Sequence, residues 1–327
     1  MFMVVYSHVV CYRSGFSLTE TPLFAENFII GVNMPLFFMI SGYFSNSLHE
    51  SKDWRRIASR LIGYVWPMAF FAIFFSLVDC VVFGRASIIQ IPVVSVKKFL
   101  FSNWFFYTLS ICDVITFTAT KYGARRWISQ FICAAGFAMA LLSSGRIWYS
   151  APVVAMVPFY WFGLYVFPRI LQMRRYFAVL AIGGCGIMFL VTFVVGNIAT
   201  NGLSFYWNRF DVFLPCAGDL FLMLARYCIG ILGSLFIVQI VIIATKTISA
   251  IKYLAFLGRE TLGIYFLQGF VVHEVANKIT GLDSPVITLL AMSAWVYLLC
   301  FLIVKVSKKN SILKTIIWGV KLPLVTQ

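Results

Sequence analysis

The sequence predicts an all-α integral membrane protein, and two observations lead to that prediction. Of the 327 residues, 61% are hydrophobic and 11% are charged, with a mean hydropathy of +0.93. Soluble globular chains are about 45–50% apolar and about 25% charged. Apolar stretches of the length that a spanning helix needs, about 20 residues, recur along the whole chain. We therefore expect residues 1–327 to form a single polytopic membrane domain.

Polar and basic residues interrupt the apolar stretches and divide the chain into about ten predicted transmembrane helices. The first of these is expected to be incomplete. The predicted spans are 1–12, 28–45, 60–83, 99–119, 128–144, 151–168, 176–199, 217–245, 255–277 and 284–306.

The net charge of +15 follows from where the basic residues fall. If the first helix runs outward from the cytoplasm, most Lys and Arg side chains lie in the inner loops and the tail, as the positive-inside rule requires. Lys97 and Lys98 are the main exceptions. We therefore expect both termini in the cytoplasm, membrane lipid as the surroundings and no nucleic acid as a partner; a homo-oligomer stays open.

The eight cysteines do not form a recognisable ligand or disulfide pattern. No C-x-x-C pair occurs, and most of the cysteines lie inside apolar stretches. Small buried hydrophobic side chains are the simpler interpretation. The sequence therefore predicts no metal site.

His8 is an ionisable side chain inside the first apolar stretch, "MFMVVYSHVV". Ionisable residues within membrane helices indicate function by default. A histidine with a pKa near ~6.5 can accept a proton at neutral pH, but it can equally serve as a hydrogen-bonded link between helices. The residue alone does not decide between these roles.

Two further segments stand out, "NMPLFFMISGYF" at 33–44 and "KDWRRIASRLIGYVWP" at 52–67. The first puts Ser41 and Gly42 at the inner end of the second helix, where small residues permit close approach of a backbone or a ligand. Ordinary helix packing explains them nearly as well. The second segment is a basic turn at the start of the third helix, which positive-inside loading explains in part.

In this order and spacing, the three segments resemble the bacterial membrane acyltransferase family three, whose members O-acylate cell-surface sugars using acyl-CoA. The resemblance extends more weakly through "NWFFYTLS" and "LGRETLGIYFLQ". Two departures occur. The family's basic residue, eleven positions before its histidine, would precede Met1, so we expect a missing N-terminus or a misassigned start. The late segment ends in Gln268 where the family commonly has histidine.

The resemblance implies an O-acyltransferase of the bacterial inner membrane, with acetyl as the default acyl group and acyl-CoA as co-substrate rather than bound cofactor. It makes His8 the general base or a transient acyl carrier. CoA carries phosphates and is cytoplasmic, so its site should be basic and on the inner face, where arginine forks bind phosphate. The candidate donor-site residues are Arg55, Arg56, Arg60, Ser41 and Gly42.

Polar and aromatic residues at the outer level suggest a site for the polysaccharide or lipid-linked sugar acceptor. Intramembrane charges usually pair or line a water-filled cavity. A structural Asp219–Arg226 pair on the eighth helix is at least an equal explanation for two of them. The candidates are Trp104, Tyr107, Asp219, Arg226, His273 and Glu274, while Asp113 has no assigned role.

Two other classes of function stay open. A transporter or flippase for glycans, lipids or acyl groups would use buried ionisable residues equally well, but it predicts inverted repeats, and we detect no paired halves. An inactive, truncated family member is the other alternative.

Overall fold

The computed structural model is almost entirely helical, and the part of the chain that it describes contains no strand. The described residues are 1–13, 24–46, 53–84, 87–101, 104–121, 150–172, 217–247, 258, 260–276 and 286–319, with most positions from 176 to 190. This confirms the all-α class. Three described helices are long and apolar enough to cross a membrane, or four with a bent pair: Trp54–Val81, Tyr227–Thr245, Thr288–Lys309, and Ile88–Leu100 with Trp104–Thr118. Ten spans and cytoplasmic termini stay predictions.

The described helices follow the predicted order. They are α1 Phe2–Arg13, α2 Phe24–Phe44, α3 Trp54–Val81, α4 Ile91–Phe101, α5 Trp104–Lys121, α6 Ser150–Trp161, α7 Phe167–Gln172, α8 Ala217–Thr247, α9 Thr261–Ala276, α10 Val286–Lys309 and α11 Ser311–Trp318. A π-helical turn, Phe162–Val166, joins α6 to α7. The positions described between 176 and 190 are also helical, and the predicted helix 128–144 lies outside the described residues.

Helix α3 begins six residues before its predicted start, because a capping residue extends it into the basic turn. The Asp53 side chain accepts a hydrogen bond of 2.9 Å from the backbone N–H of Arg55. Such a cap satisfies one of the amide groups that a helix N-terminus leaves without a partner. The basic segment is therefore helical, and Arg56 and Arg60 lie one turn apart on the same face.

The predicted helix 99–119 is divided in the structure, where α4 and α5 meet at a bend of 54°. The apolar segment before residue 99, which carries Lys97 and Lys98, lies outside the predicted helices. Lys98 is instead paired with Asp79 of α3, which compensates its charge and lets α4 pack on α3. Across the bend, the Tyr107 hydroxyl donates to the Phe99 carbonyl at 2.8 Å.

Six helices form a closed ring of contacts in the order α1, α2, α6, α5, α3 and α9, with α9 returning to α1. Aromatic side chains of α5 also contact α9 and α2, the two helices that are not next to α5 in this ring but lie across it. Phe106 stacks on Phe266 of α9 at 4.5 Å, and Phe105 meets Phe38 of α2 edge-on at 5.1 Å. Between membrane helices such packing supplies much of the attraction, because lipid tails are as apolar as the side chains.

Helix α2 touches the π-helical turn after α6 through a pair of glycines. A Cβ atom on Gly42 would lie 1.9 Å from the Tyr160 carbonyl oxygen, and one on Gly163 would lie 1.9 Å from the Met39 carbonyl oxygen. Any larger residue at either position would therefore force the two backbones apart. This close contact fixes the C-terminal end of α2 against α6 and the π-helical turn.

The short helix α11 was not predicted, since eight residues are too few for a spanning segment. Asn310 caps its start by accepting hydrogen bonds from the backbone N–H groups of Ile312 and Leu313. Its last residue, Trp318, is buried, and its ring lies 5.8 Å from that of Phe71. The C-terminal helix thus belongs to the core.

Candidate functional site

Asp113 of α5 is the centre of a buried polar cluster to which four helical segments contribute. Its side chain has no exposed surface, and Arg60 Nε of α3 lies 2.9 Å from its Oδ2 atom. The Tyr160 hydroxyl of α6 donates to Oδ1 at 2.5 Å, and the hydroxyl oxygen of Ser45, directly after α2, lies 3.4 Å from the same oxygen. A buried carboxylate needs such a counter-charge and such donors to offset its loss of water.

The guanidinium of Arg60 is held from one side. Its Nε–H group donates to the Tyr64 hydroxyl at 2.7 Å, and the same nitrogen faces Asp113. Among the described residues, none accepts a hydrogen bond from the two terminal Nη groups. The side chain keeps 23% of its surface exposed. The Nη groups are therefore not committed to an acceptor among the described residues, and part of the side chain stays accessible.

Sequence reasoning missed most of this cluster. Asp113 had no assigned role, and Ser45, Tyr64 and Tyr160 were not singled out. An aspartate inside an apolar stretch is itself a signal, because a charge in a membrane helix is costly and normally has a partner. The identity of that partner depends on how α3 and α5 pack, which no local pattern reports.

Arg55 and Arg56, predicted to bind the donor, lie exposed on the first turn of α3. Trp54 beside them packs edge-on against Phe117 of α5 at 4.5 Å, and the Lys121 ammonium lies 5.2 Å from the centre of the Trp54 ring. These contacts join the start of α3 to the end of α5. The joined helix ends present a basic surface, from which Arg60 lies one turn deeper.

Ser41 and Gly42, also predicted donor-site residues, lie beside the Asp113 cluster. The Ser41 carbonyl accepts a hydrogen bond of 2.7 Å from the Ser45 hydroxyl, which also reaches Asp113. Gly42 packs against the backbone of Tyr160, the residue that donates to Asp113. The structure therefore brings Arg60, Ser41 and Gly42 together, and it gives Gly42 a packing role.

His8, the predicted base, lies on α1 with its side chain partly buried, next to the fully buried Val9. Within the described part of the chain, no hydrogen bond or ion pair engages its imidazole or joins it to the Asp113 cluster. The preceding residue, Ser7, is fixed. Its hydroxyl donates to the Met3 carbonyl and accepts from Asn33 of α2, both at 2.8 Å.

Helix α2 contacts both the surroundings of His8 and the Asp113 cluster. The residues of its motif, "NMPLFFMISGYF" at 33–44, make these contacts. At the start of the motif, Asn33 donates to Ser7 beside His8 and accepts from the backbone N–H of Met34, just before Pro35. A proline lacks the N–H that would continue the helical ladder, so the side-chain bond supports a weakened turn. At its other end the motif contacts α6 and the Asp113 cluster. One helix thus positions the neighbourhoods of His8 and Arg60.

The residues predicted for an acceptor site are only partly described. Trp104 and Tyr107 are partly buried on the first turn of α5 and pack against the core, and Glu274 is half-buried on α9. Asp219 and Arg226 belong to α8 and His273 to α9, but their side chains lie outside the described residues. The acceptor site stays a prediction.

The sequence that forms these helices and the basic start of α3 can be compared with known families. The family model for an acyltransferase domain, acyltransferase family 3, matches residues 1–305. The chain belongs to acyltransferase family 3. Comparisons with curated proteins and with solved structures return no match. Family membership and the apolar helices make this a membrane protein and support acyl transfer as its reaction.

Proposed function

We propose that the protein is a multi-pass O-acyltransferase of a bacterial cytoplasmic membrane. It moves an acyl group, by default acetyl, from cytoplasmic acyl-CoA to a hydroxyl of a cell-surface polysaccharide or a lipid-linked sugar. The observation that carries the proposal is the match to acyltransferase family 3 over residues 1–305.

The inner ends of α3 and α5 support a donor site for CoA. Arg55, Arg56 and Lys121 put positive charge on one surface, and Arg60 offers terminal N–H groups one turn deeper. Arginine recognises phosphate through paired hydrogen bonds in a planar fork. In the proposed site, the exposed arginines bind phosphate groups, and the pantetheine arm runs between the helices toward α1.

His8 supplies the acid–base chemistry of the proposal. Its imidazole takes the proton of the acceptor hydroxyl as the hydroxyl oxygen bonds to the thioester carbonyl carbon. The carbon–sulfur bond then breaks, and CoA leaves as a thiolate that takes up a proton. A two-step route, in which the imidazole first carries the acyl group and then passes it to the hydroxyl, has the same overall balance.

The test compares two histidine substitutions in the full chain. His8→Ala should lower acetylation of cell-surface sugar by at least roughly a hundredfold, the range for a lost general base. His49→Ala is the matched control, because His49 has no proposed role, and it should retain activity. The measurements are free CoA thiol released from acetyl-CoA by membranes and the acetyl content of the glycan by mass spectrometry.

Normal acetylation by the His8→Ala variant would contradict the assigned mechanism. Absence of acetyl-CoA consumption by the unaltered chain, in membranes that contain the acceptor glycan, would contradict the assigned reaction.

A further inference from the structure

We propose that Asp113 and Tyr160 are positioning residues for the acyl donor. They hold the Arg60 guanidinium on its Nε side, so that its two Nη groups face an anionic group of acyl-CoA. This inference deepens the proposed function and depends on its donor site. Neither residue touches the donor itself.

Arg60 keeps most of its hydrogen-bond donors unused among the described residues. A guanidinium carries five N–H bonds, one on Nε and four on the two Nη atoms. The Nε hydrogen points to Tyr64 at 2.7 Å, while the nitrogen lies 2.9 Å from Asp113 Oδ2. This arrangement engages only the Nε side of the guanidinium. The two Nη groups, which can bind phosphate through paired hydrogen bonds, are left for another acceptor.

Asp113 is itself held by side chains from two other helical segments, with Tyr160 as its donor and Ser45 close by. Tyr160 donates to Oδ1, and Oδ2 is directed at Arg60. Tyr160 also packs closely on α2, because its carbonyl oxygen occupies the space that a Cβ atom on Gly42 would need. Tyr160 and Asp113 therefore connect Arg60 to the backbone packing of α2 against α6.

The alternative is an ion pair that only stabilises the fold. Both roles predict that loss of Asp113 lowers the unfolding temperature, so stability does not distinguish them. Affinity for the donor does, because only the positioning role links Asp113 to CoA. The chain supplies a matched control in Asp79, a second aspartate on a described helix that pairs with a cation, Lys98.

The experiment measures CoA binding to the full-length protein in detergent by the concentration-dependent rise in unfolding temperature, a readout that needs no turnover. The variants are Asp113→Asn, Arg60→Gln, the double substitution and Asp79→Asn. Asp113→Asn should weaken CoA binding roughly tenfold, the effect of one misplaced charge-assisted hydrogen bond. When Arg60→Gln is already present, Asp113→Asn should weaken CoA binding by less than a further factor of about two, since Asp113 acts through Arg60.

The other variants complete the test. Asp79→Asn should lower the unfolding temperature and leave CoA affinity unchanged. Unchanged affinity in Asp113→Asn, or an equal loss in both backgrounds, would overturn the positioning role while the proposed function stands. CoA binding without acetyl-CoA turnover would count against the proposed function alone, whereas no CoA binding by the unaltered chain would overturn the positioning role together with its donor site.

Discussion

Two aspartate–cation pairs lie near opposite ends of α3, and they differ in what surrounds them. Arg60 and Asp79 are nineteen residues apart, about 28 Å along a helix. Asp79 pairs with Lys98, and the Lys98 ammonium also donates to the Phe75 carbonyl at 3.2 Å, with both side chains partly exposed. Asp113 is fully buried and lies against the Arg60 guanidinium of α3, the Tyr160 hydroxyl of α6 and Ser45 after α2.

The comparison shows that similar charge pairs perform different tasks. The Lys98 pair joins two helices that are neighbours in sequence, and its ammonium is directed at acceptors on α3. The Arg60 pair joins helices that are far apart in sequence and leaves the terminal N–H groups of the guanidinium available. The Asp79–Lys98 pair stabilises a contact between two neighbouring helices. The Asp113–Arg60 pair connects the packing of several helices to a cation that can bind a ligand.

The largest expected difference comes from deleting each carboxylate. Asp113→Ala should lower the free energy of unfolding by about 3–5 kcal/mol, because it leaves a half-buried guanidinium without its counter-charge. Asp79→Ala should cost at most about 1 kcal/mol, since both partners reach the surface. Unfolding in mixed micelles, followed by circular dichroism, measures both. Equal losses would show that burial does not separate the two pairs.

A smaller effect is expected from crowding the helix contact behind the Asp113 cluster. Gly42→Ala should destabilise the protein by about 3 kcal/mol, because the new methyl group meets the Tyr160 carbonyl at 1.9 Å and backbone must move. Gly63→Ala on α3 is the control, since nothing lies within 4 Å of its Cβ position. That control should be neutral or stabilise by up to about 1 kcal/mol. The same micelle unfolding assay compares them, and similar losses in both would contradict the packing role of Gly42.

The smallest expected difference in unfolding free energy is between the losses of two tyrosine hydroxyls that donate to different acceptors. Tyr160→Phe removes a donor from a buried carboxylate and should cost about 2 kcal/mol, whereas Tyr107→Phe removes one from a backbone carbonyl and should cost about 1 kcal/mol. Thermal unfolding in detergent measures the difference. A larger loss for Tyr107→Phe would place the more important hydroxyl at the bend between α4 and α5.

Much of the helical content could be predicted from the lengths of the apolar stretches, because a membrane restricts the chain to few structures. The errors fall where a local partner overrides composition. Asp53 extends α3 into a basic turn, and Asp79 neutralises a lysine so that α4 can form. Both aspartates are visible in the sequence, but a count of apolar residues ignores them.

The candidate site was less predictable than the fold. Arg60, Ser41 and Gly42 were all predicted donor-site residues, and the structure brings them together beside Asp113. Asp113 could be recognised as unusual but not as the partner of Arg60, because 53 residues separate the two. Tyr160 carries no signal at all, since a tyrosine in an apolar helix is common and only the contact with α2 places its hydroxyl.

Helix α11 bears on where this protein can be shortened for structural work. The family match ends at residue 305, but Trp318 fills a space beside Phe71, and the Trp66 indole donates to the Ile316 carbonyl at 2.9 Å. A chain that ended at residue 305 would lack α11 and would expose the aromatic side chains of Trp66 and Phe71 on α3, the helix that carries Arg60. Truncation limits for this fold are therefore set by side-chain packing, and the family boundary falls inside the folded unit.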